Sequence, residues 1–133
     1  MLLLDAEALS AVAHGPAVRR DRVRALVGAM RRRDLGVGTV TAVLAEVVRG
    51  RRQDAAVFSA VRRERVLAHP VDEAVAVRAG QLLGARRLGS EHAVDAFLVA
   101  VALLGGGAVI ATGDPDDIAR LVGRTPGVDV AAI

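Results

Sequence analysis

The sequence predicts a single α/β domain, a central parallel sheet of four to five strands flanked by helices on both faces. Three observations predict it. Short apolar runs alternate with stretches of helical periodicity along the whole chain. The intervening stretches can serve as the crossover helices that parallel strands require. The 133 residues hold 53% hydrophobic and 25% charged side chains, the balance of one compact domain with its own core.

The elements follow in order. Leu2 to Leu4 is an apolar strand that stops at Asp5, and a helical pattern runs from Ala6 to Ala13 until Gly15-Pro16 breaks it. A second helix is expected from Pro16 to Arg33, its apolar stripe formed by Val18, Val23, Leu26, Val27 and Met30. Leu35 to Val40 reads as a strand, Thr41 to Arg49 as a helix with Val43, Leu44, Val47 and Val48 on one side, and Gly50 as its stop. A helix over Asp54 to Arg63 and a strand over Val66 to His69 come next, then a helix over Asp72 to Arg87. Ser90 is a good N-cap for a helix from Glu91 to Leu104. Ala108 to Ala111 reads as a buried strand, Asp114 to Val122 as a short helix, and Val128 to Ile133 as the last strand.

Composition removes many chemistries. All 18 basic residues are arginine, and the chain has no Lys, Cys, Trp or Tyr. That excludes a disulfide frame, thiolate zinc sites, cysteine nucleophiles, a P-loop lysine and Schiff-base chemistry. The only aromatics, Phe58 and Phe97, are expected in the core, which leaves little for base stacking. Ser10, Ser59 and Ser90 form no GxSxG nucleophile motif. Arginine clusters at 19–24, 31–33, 49–52 and 62–65 read either as solvated helix faces or as phosphate-holding surfaces, and the net charge of +3 permits the second without demanding it. Met1 to Asp5 lacks the basic region of a signal peptide. The apolar stretch Ala96 to Ala111 contains three glycines and falls short of the roughly 18 residues of a membrane span, so a cytoplasmic protein without membrane contact is expected.

Among the carboxylates, location separates a few. Asp5 directly follows the first strand and Asp114 follows the strand ending near Ala111, so both belong to the C-terminal edge of a parallel sheet, where ligands bind if strand order reverses. Asp95 is the only polar side chain between Ala93 and Leu104, on a helix apolar all round. A charge there is unfavourable unless paired or coordinated, although its first-turn position is also an ordinary one for Asp. Glu46 sits roughly 130° from the centre of its helix's apolar stripe and gains meaning only beside the others. Clustered carboxylates take up protons or recruit a cation, and an oxygen donor set suits Mg²⁺ or Mn²⁺. His14, His69 and His92 are too scattered for a zinc motif, but His92 lies three residues before Asp95 and can face the same cleft.

With these residues in place, the chain resembles PIN-domain ribonucleases, in particular the short VapC-like toxins and their actinobacterial relatives. The segments that carry the likeness are LLLDAEAL (2–9), TAVLAEVVRG (41–50), HAVDAFLVAVAL (92–103) and VIATGDPDDIARL (109–121). Each is weak alone; four in order on a fitting α/β pattern are a strong signal. The resemblance implies one PIN-like domain over residues 1–133. Asp5 then matches the family's first aspartate, Glu46 its helix glutamate, Asp95 its third acid and Asp114 the acid after the late strand. Asp117 matches the acid three residues later and is the second choice as a metal ligand. It also implies one or two Mg²⁺ or Mn²⁺ ions, hydrolysis of RNA phosphodiesters, a homodimer, and a VapB-like antitoxin whose arginine or lysine competes with the metal.

One departure stands out. The family pattern has a hydroxyl or Asn in the two residues after the first aspartate, where this chain has Ala6 and Glu7. Glu7 reads either as an additional carboxylate or as a first-turn helix residue. The departure keeps a second reading open, a stand-alone or degenerate PIN module that binds RNA or a protein without cleavage. A haloacid-dehalogenase-type phosphatase, suggested by the apolar residues before Asp5, fails on Glu7 two residues later and on the missing lysine.

Overall fold

A computed structural model describes all 133 residues. Five strands, β1 (Leu2–Leu4), β2 (Val37–Val40), β3 (Leu67–His69), β4 (Ala108–Thr112) and β5 (Val128–Ala132), form one sheet in the order β3-β2-β1-β4-β5, and every neighbouring pair is parallel. Seven helices connect them: α1 (Ala6–His14), α2 (Ala17–Arg32), α3 (Thr41–Val47), α4 (Asp54–Arg63), α5 (Glu73–Arg86), α6 (Ala93–Leu104) and α7 (Pro115–Val122). From β1 the chain first builds outward through β2 and β3, then returns to the other side of β1 to lay down β4 and β5. The order therefore reverses between β1 and β4, and the crevice beyond their C-terminal ends is the natural ligand site.

The centre of the sheet is buried on both faces, which is why β1 is three leucines and not an alternating pattern. Leu2, Leu3 and Leu4 are fully buried, each contributing about 1.5–3 kcal/mol of apolar burial. The Thr39 hydroxyl donates to the Leu4 carbonyl at 2.7 Å, so the one polar side chain in β2 is satisfied. On α6, Ala96, Leu98, Val99, Ala100 and Ala102 have no exposed surface, as a helix apolar all round requires. Ahead of β4, Gly107 holds φ +119°, and a Cβ there would lie 2.7 Å from the Gly127 carbonyl oxygen.

Several expected details differ. Val18 is 65% exposed: it lies five residues before Val23, about 140° around the helix from the buried stripe of Val23, Val27 and Met30. Phe58 is 43% exposed, because on α4 Val57 and Ala60 take the inward face, whereas Phe97 on α6 is half-buried and packs against the core. Helix α3 ends at Val47, not Arg49, since the chain turns to give the N–H groups of Arg49 and Arg51 to the Asp54 carboxylate at 3.1 and 3.0 Å. Ser90 caps nothing. It opens a single 3-10 turn (Ser90–His92), and α6 starts at Ala93 with His92 at its N-cap. β2 begins at Val37, leaving Leu35 exposed. No helix is long and apolar enough to cross a membrane.

Candidate active site

Asp5 leaves the end of β1 and serves as N-cap of α1. Its Oδ1 accepts the Ala8 N–H at 2.6 Å, and its Oδ2 accepts the Gly113 N–H at 3.2 Å from the segment after β4. The Thr112 side chain adds a third hydrogen bond. Even so, burial raises the Asp5 pKa above its ordinary value; the three hydrogen bonds only partly offset it, and the charge of Glu7 adds to the rise. A carboxylate held this firmly, with only 7% of the residue exposed, presents its remaining oxygen lone pairs in a fixed direction.

Asp95 comes from the first turn of α6, where the sequence placed it against an apolar helix. Its pKa is raised to about 6, first by burial and then by the charges of Asp5, Glu46 and Asp117, with His92 opposing. Glu46, on the last turn of α3, is raised by burial and by Asp5, against Arg49. Asp5 thus acts on both Glu46 and Asp95, and Asp95 feels Glu46 and Asp117 as well. The structure brings together Asp5, Glu46, Asp95 and Asp117 around the ends of β1 and β4.

Asp114 is placed differently. It is exposed, and its Oδ1 faces the N–H of Asp117 at 3.4 Å as the N-cap of α7, with Pro115 next in the first turn. Asp117, half-buried, reaches the cluster: donor atoms of His92, Asp95 and Asp117 all lie within 4.8 Å of one another. An Asp-Pro pair at a helix start is a capping signature, and Asp114 takes that place here. Thr112 is a site residue that sequence reasoning passed over. Its hydroxyl bonds Asp5 and accepts the Asp114 N–H at 2.9 Å, and its signal was a lone hydroxyl ending a buried strand.

Glu7, at the edge of the cluster, pairs with Arg19 at 2.9 Å, with both side chains about half exposed. It flanks Gly113, where a Cβ would fall on the Glu7 carboxylate. Beside Glu46, a cavity of about 310 Å³ between α1 and α3 is lined by Glu7, Ser10, His14 and Arg19 among others. The donor set is therefore carboxylate oxygen with one imidazole, negatively charged and crowded enough that protons or a divalent cation are needed to relieve it.

The PIN domain family model matches residues 2–123, and the chain belongs to the PIN domain family. In fold it is similar to a chain of the crystal structure of VapBC2 from Rickettsia felis bound to a DNA fragment from their promoter. That likeness has a TM-score of 0.66 and 12% identity, and covers 99% of this chain and 98% of that one. A search of curated proteins finds no match.

Proposed function

We propose that this PIN domain is a Mg²⁺- or Mn²⁺-dependent endoribonuclease that hydrolyses RNA phosphodiester bonds, acting in the cytoplasm as the toxin of a VapBC-type pair. The observation that carries the reading is the convergence of Asp5, Glu46, Asp95 and Asp117 beyond the C-terminal ends of β1 and β4, in a member of this family. Asp5, Asp95 and Asp117 would hold the cation, Glu46 would reach it directly or through a water, and Asp114 would act from the rim. When bound, the cation supplies an activated water and offsets charge building on the phosphate oxygens.

The protein's own side chains supply the rest. Asp5, fixed by its hydrogen bonds, needs no reorganisation during the reaction. The exposed Glu46 carboxylate, with a raised pKa, can exchange a proton with water at the cleft edge. Arg19 offers a planar guanidinium to a flanking phosphate once it leaves Glu7. Without Tyr or Trp, RNA is held by backbone charge and shape, not by base stacking.

The likeness to a VapBC2 chain supports a VapB-like antitoxin as partner, and a homodimer accords with the family resemblance. An antitoxin arginine or lysine entering the carboxylates would compete with the cation by simple electrostatics. Incubation of the protein with structured RNA tests the reading. Cleavage should require Mg²⁺ or Mn²⁺ and disappear in Asp5→Asn and Asp95→Asn; activity unchanged in those variants defeats it. Calorimetric Mn²⁺ binding that depends on Asp5 and Asp95 separates it from a degenerate binding module.

A further inference from the structure

His92 closes the 3-10 turn before α6 and stands one helical turn ahead of Asp95. Its side chain is only 18% exposed, yet its ring nitrogens keep unusual company. Nδ1 lies 3.6 Å from Asp117 Oδ2 and Nε2 3.9 Å from Glu91 Oε1, both too long for hydrogen bonds. An imidazole held beside a carboxylate at that separation lets both donors reach one ion seated to the side of the pair. Two donors each about 2.1 Å from one ion lie at most about 4.2 Å apart. The His92–Asp117 gap falls inside that limit, and the wider set with Asp95, within 4.8 Å, needs settling by up to about 0.6 Å.

We infer that His92 is a nitrogen ligand of the cation taken by this acidic centre, sharing it with Asp95 and Asp117, and that it biases the centre towards first-row transition ions over Mg²⁺. Carboxylate oxygens alone suit Mg²⁺, whereas imidazole nitrogen favours the transition series. The inference rests on the proposed metal-dependent reading of the same site. It concerns a residue outside the acidic set that the resemblance supplies.

Pulsed electron paramagnetic resonance of Mn²⁺ added to the purified protein tests it without any activity measurement. The spectrum should show ¹⁴N modulation from a directly bound imidazole, and His92→Gln should abolish it while Mn²⁺ remains bound. Calorimetry should show Co²⁺ affinity falling about tenfold or more in His92→Gln, with Mg²⁺ affinity changed less than about threefold. Bound Mn²⁺ without ¹⁴N modulation in the wild-type protein, or modulation that persists in His92→Gln, overturns the assignment and leaves the carboxylate centre standing. No Mn²⁺ binding at all overturns both.

Discussion

The Asp5 carboxylate accepts the backbone N–H of Gly113 at 3.2 Å, tying the end of β1 to the end of β4 across 108 residues of chain. The same carboxylate caps α1 through Ala8, so one side chain fixes the sheet's switch point, starts a helix and faces the cleft. Its structural and chemical roles can be separated by substitution. Asp5→Asn keeps an oxygen for Ala8 but turns an amide towards Gly113, while removing one charge from a self-repelling cluster. Its stability should stay within about 1 kcal/mol of the parent, with Mn²⁺ binding lost. Asp5→Ala leaves both N–H groups without an acceptor and should be less stable by about 1–3 kcal/mol. Urea unfolding beside Mn²⁺ calorimetry reads both, and equal destabilisation of the two variants would contradict this division.

The metal-free protein should become more stable on mild acidification. Asp95 titrates near pH 6 in the fold against an ordinary value of 3.8, and Asp5 and Glu46 are shifted in the same direction. Between those two pH values the native state binds protons that the unfolded chain does not, so stability falls as pH rises through the window. A shift of this size corresponds to at most about 3 kcal/mol, and partial solvation trims it. Lowering the pH from 7.5 to 5 should recover about 1 kcal/mol in urea unfolding. Saturating Mn²⁺ should invert the trend, because the cation binds the deprotonated cluster. A metal-free protein that loses stability over this interval would show that the carboxylates are not crowded.

Asp114 and Asp117 should respond differently to substitution. Asp117 stands in the cluster, half-buried, against His92 and Arg120, whereas Asp114 is exposed and occupied with the start of α7. Asp117→Asn should weaken Mn²⁺ binding about tenfold or more, and Asp114→Asn by less than about threefold. Asp114→Ala should lower stability by about 0.5–1 kcal/mol through the lost cap, at the low end because its hydrogen bond is long. Paired metal titration and thermal unfolding distinguish the two.

The sequence revealed strand and helix order well because burial on both faces leaves a clear mark: three leucines in β1, and an α6 with a single polar residue. Element ends were less legible. The stop of α3 is set by the Asp54 carboxylate reaching back to Arg49 and Arg51, a side-chain contact that no periodicity records. The site was legible to the level of which segments carry acids, since strand ends at a topological switch must converge. It was not legible which acid after β4 turns inward, because that depends on the first turn of α7. Nor could spacing show that Glu7 would turn to Arg19, since that pairing needs the angle between α1 and α2.

Two glycines near the site's strands should differ sharply when a methyl group is added. At Gly107, φ is +119°, and the new Cβ would sit 2.7 Å from the Gly127 carbonyl oxygen, a backbone atom paired with Ala108 at the start of β4 and unable to yield cheaply. Gly107→Ala should therefore lose about 2 kcal/mol or more, from strain and clash together. At Gly113 the backbone has no positive φ, and the main obstacle is the Glu7 carboxylate, the far end of an exposed, flexible side chain, with the Glu7 Cβ, at 3.1 Å, having to give by only a few tenths of an ångström. Gly113→Ala should stay within about 1 kcal/mol of the parent, with Glu7 pushed off Arg19. That guanidinium would then be free in the cavity beside Glu46. RNA binding measured without divalent cation should hold or tighten in Gly113→Ala, and more so at low salt, as expected of an arginine released towards phosphate. Weaker RNA binding with an intact fold would show instead that the Glu7–Arg19 pair, and not the free arginine, is what the substrate meets.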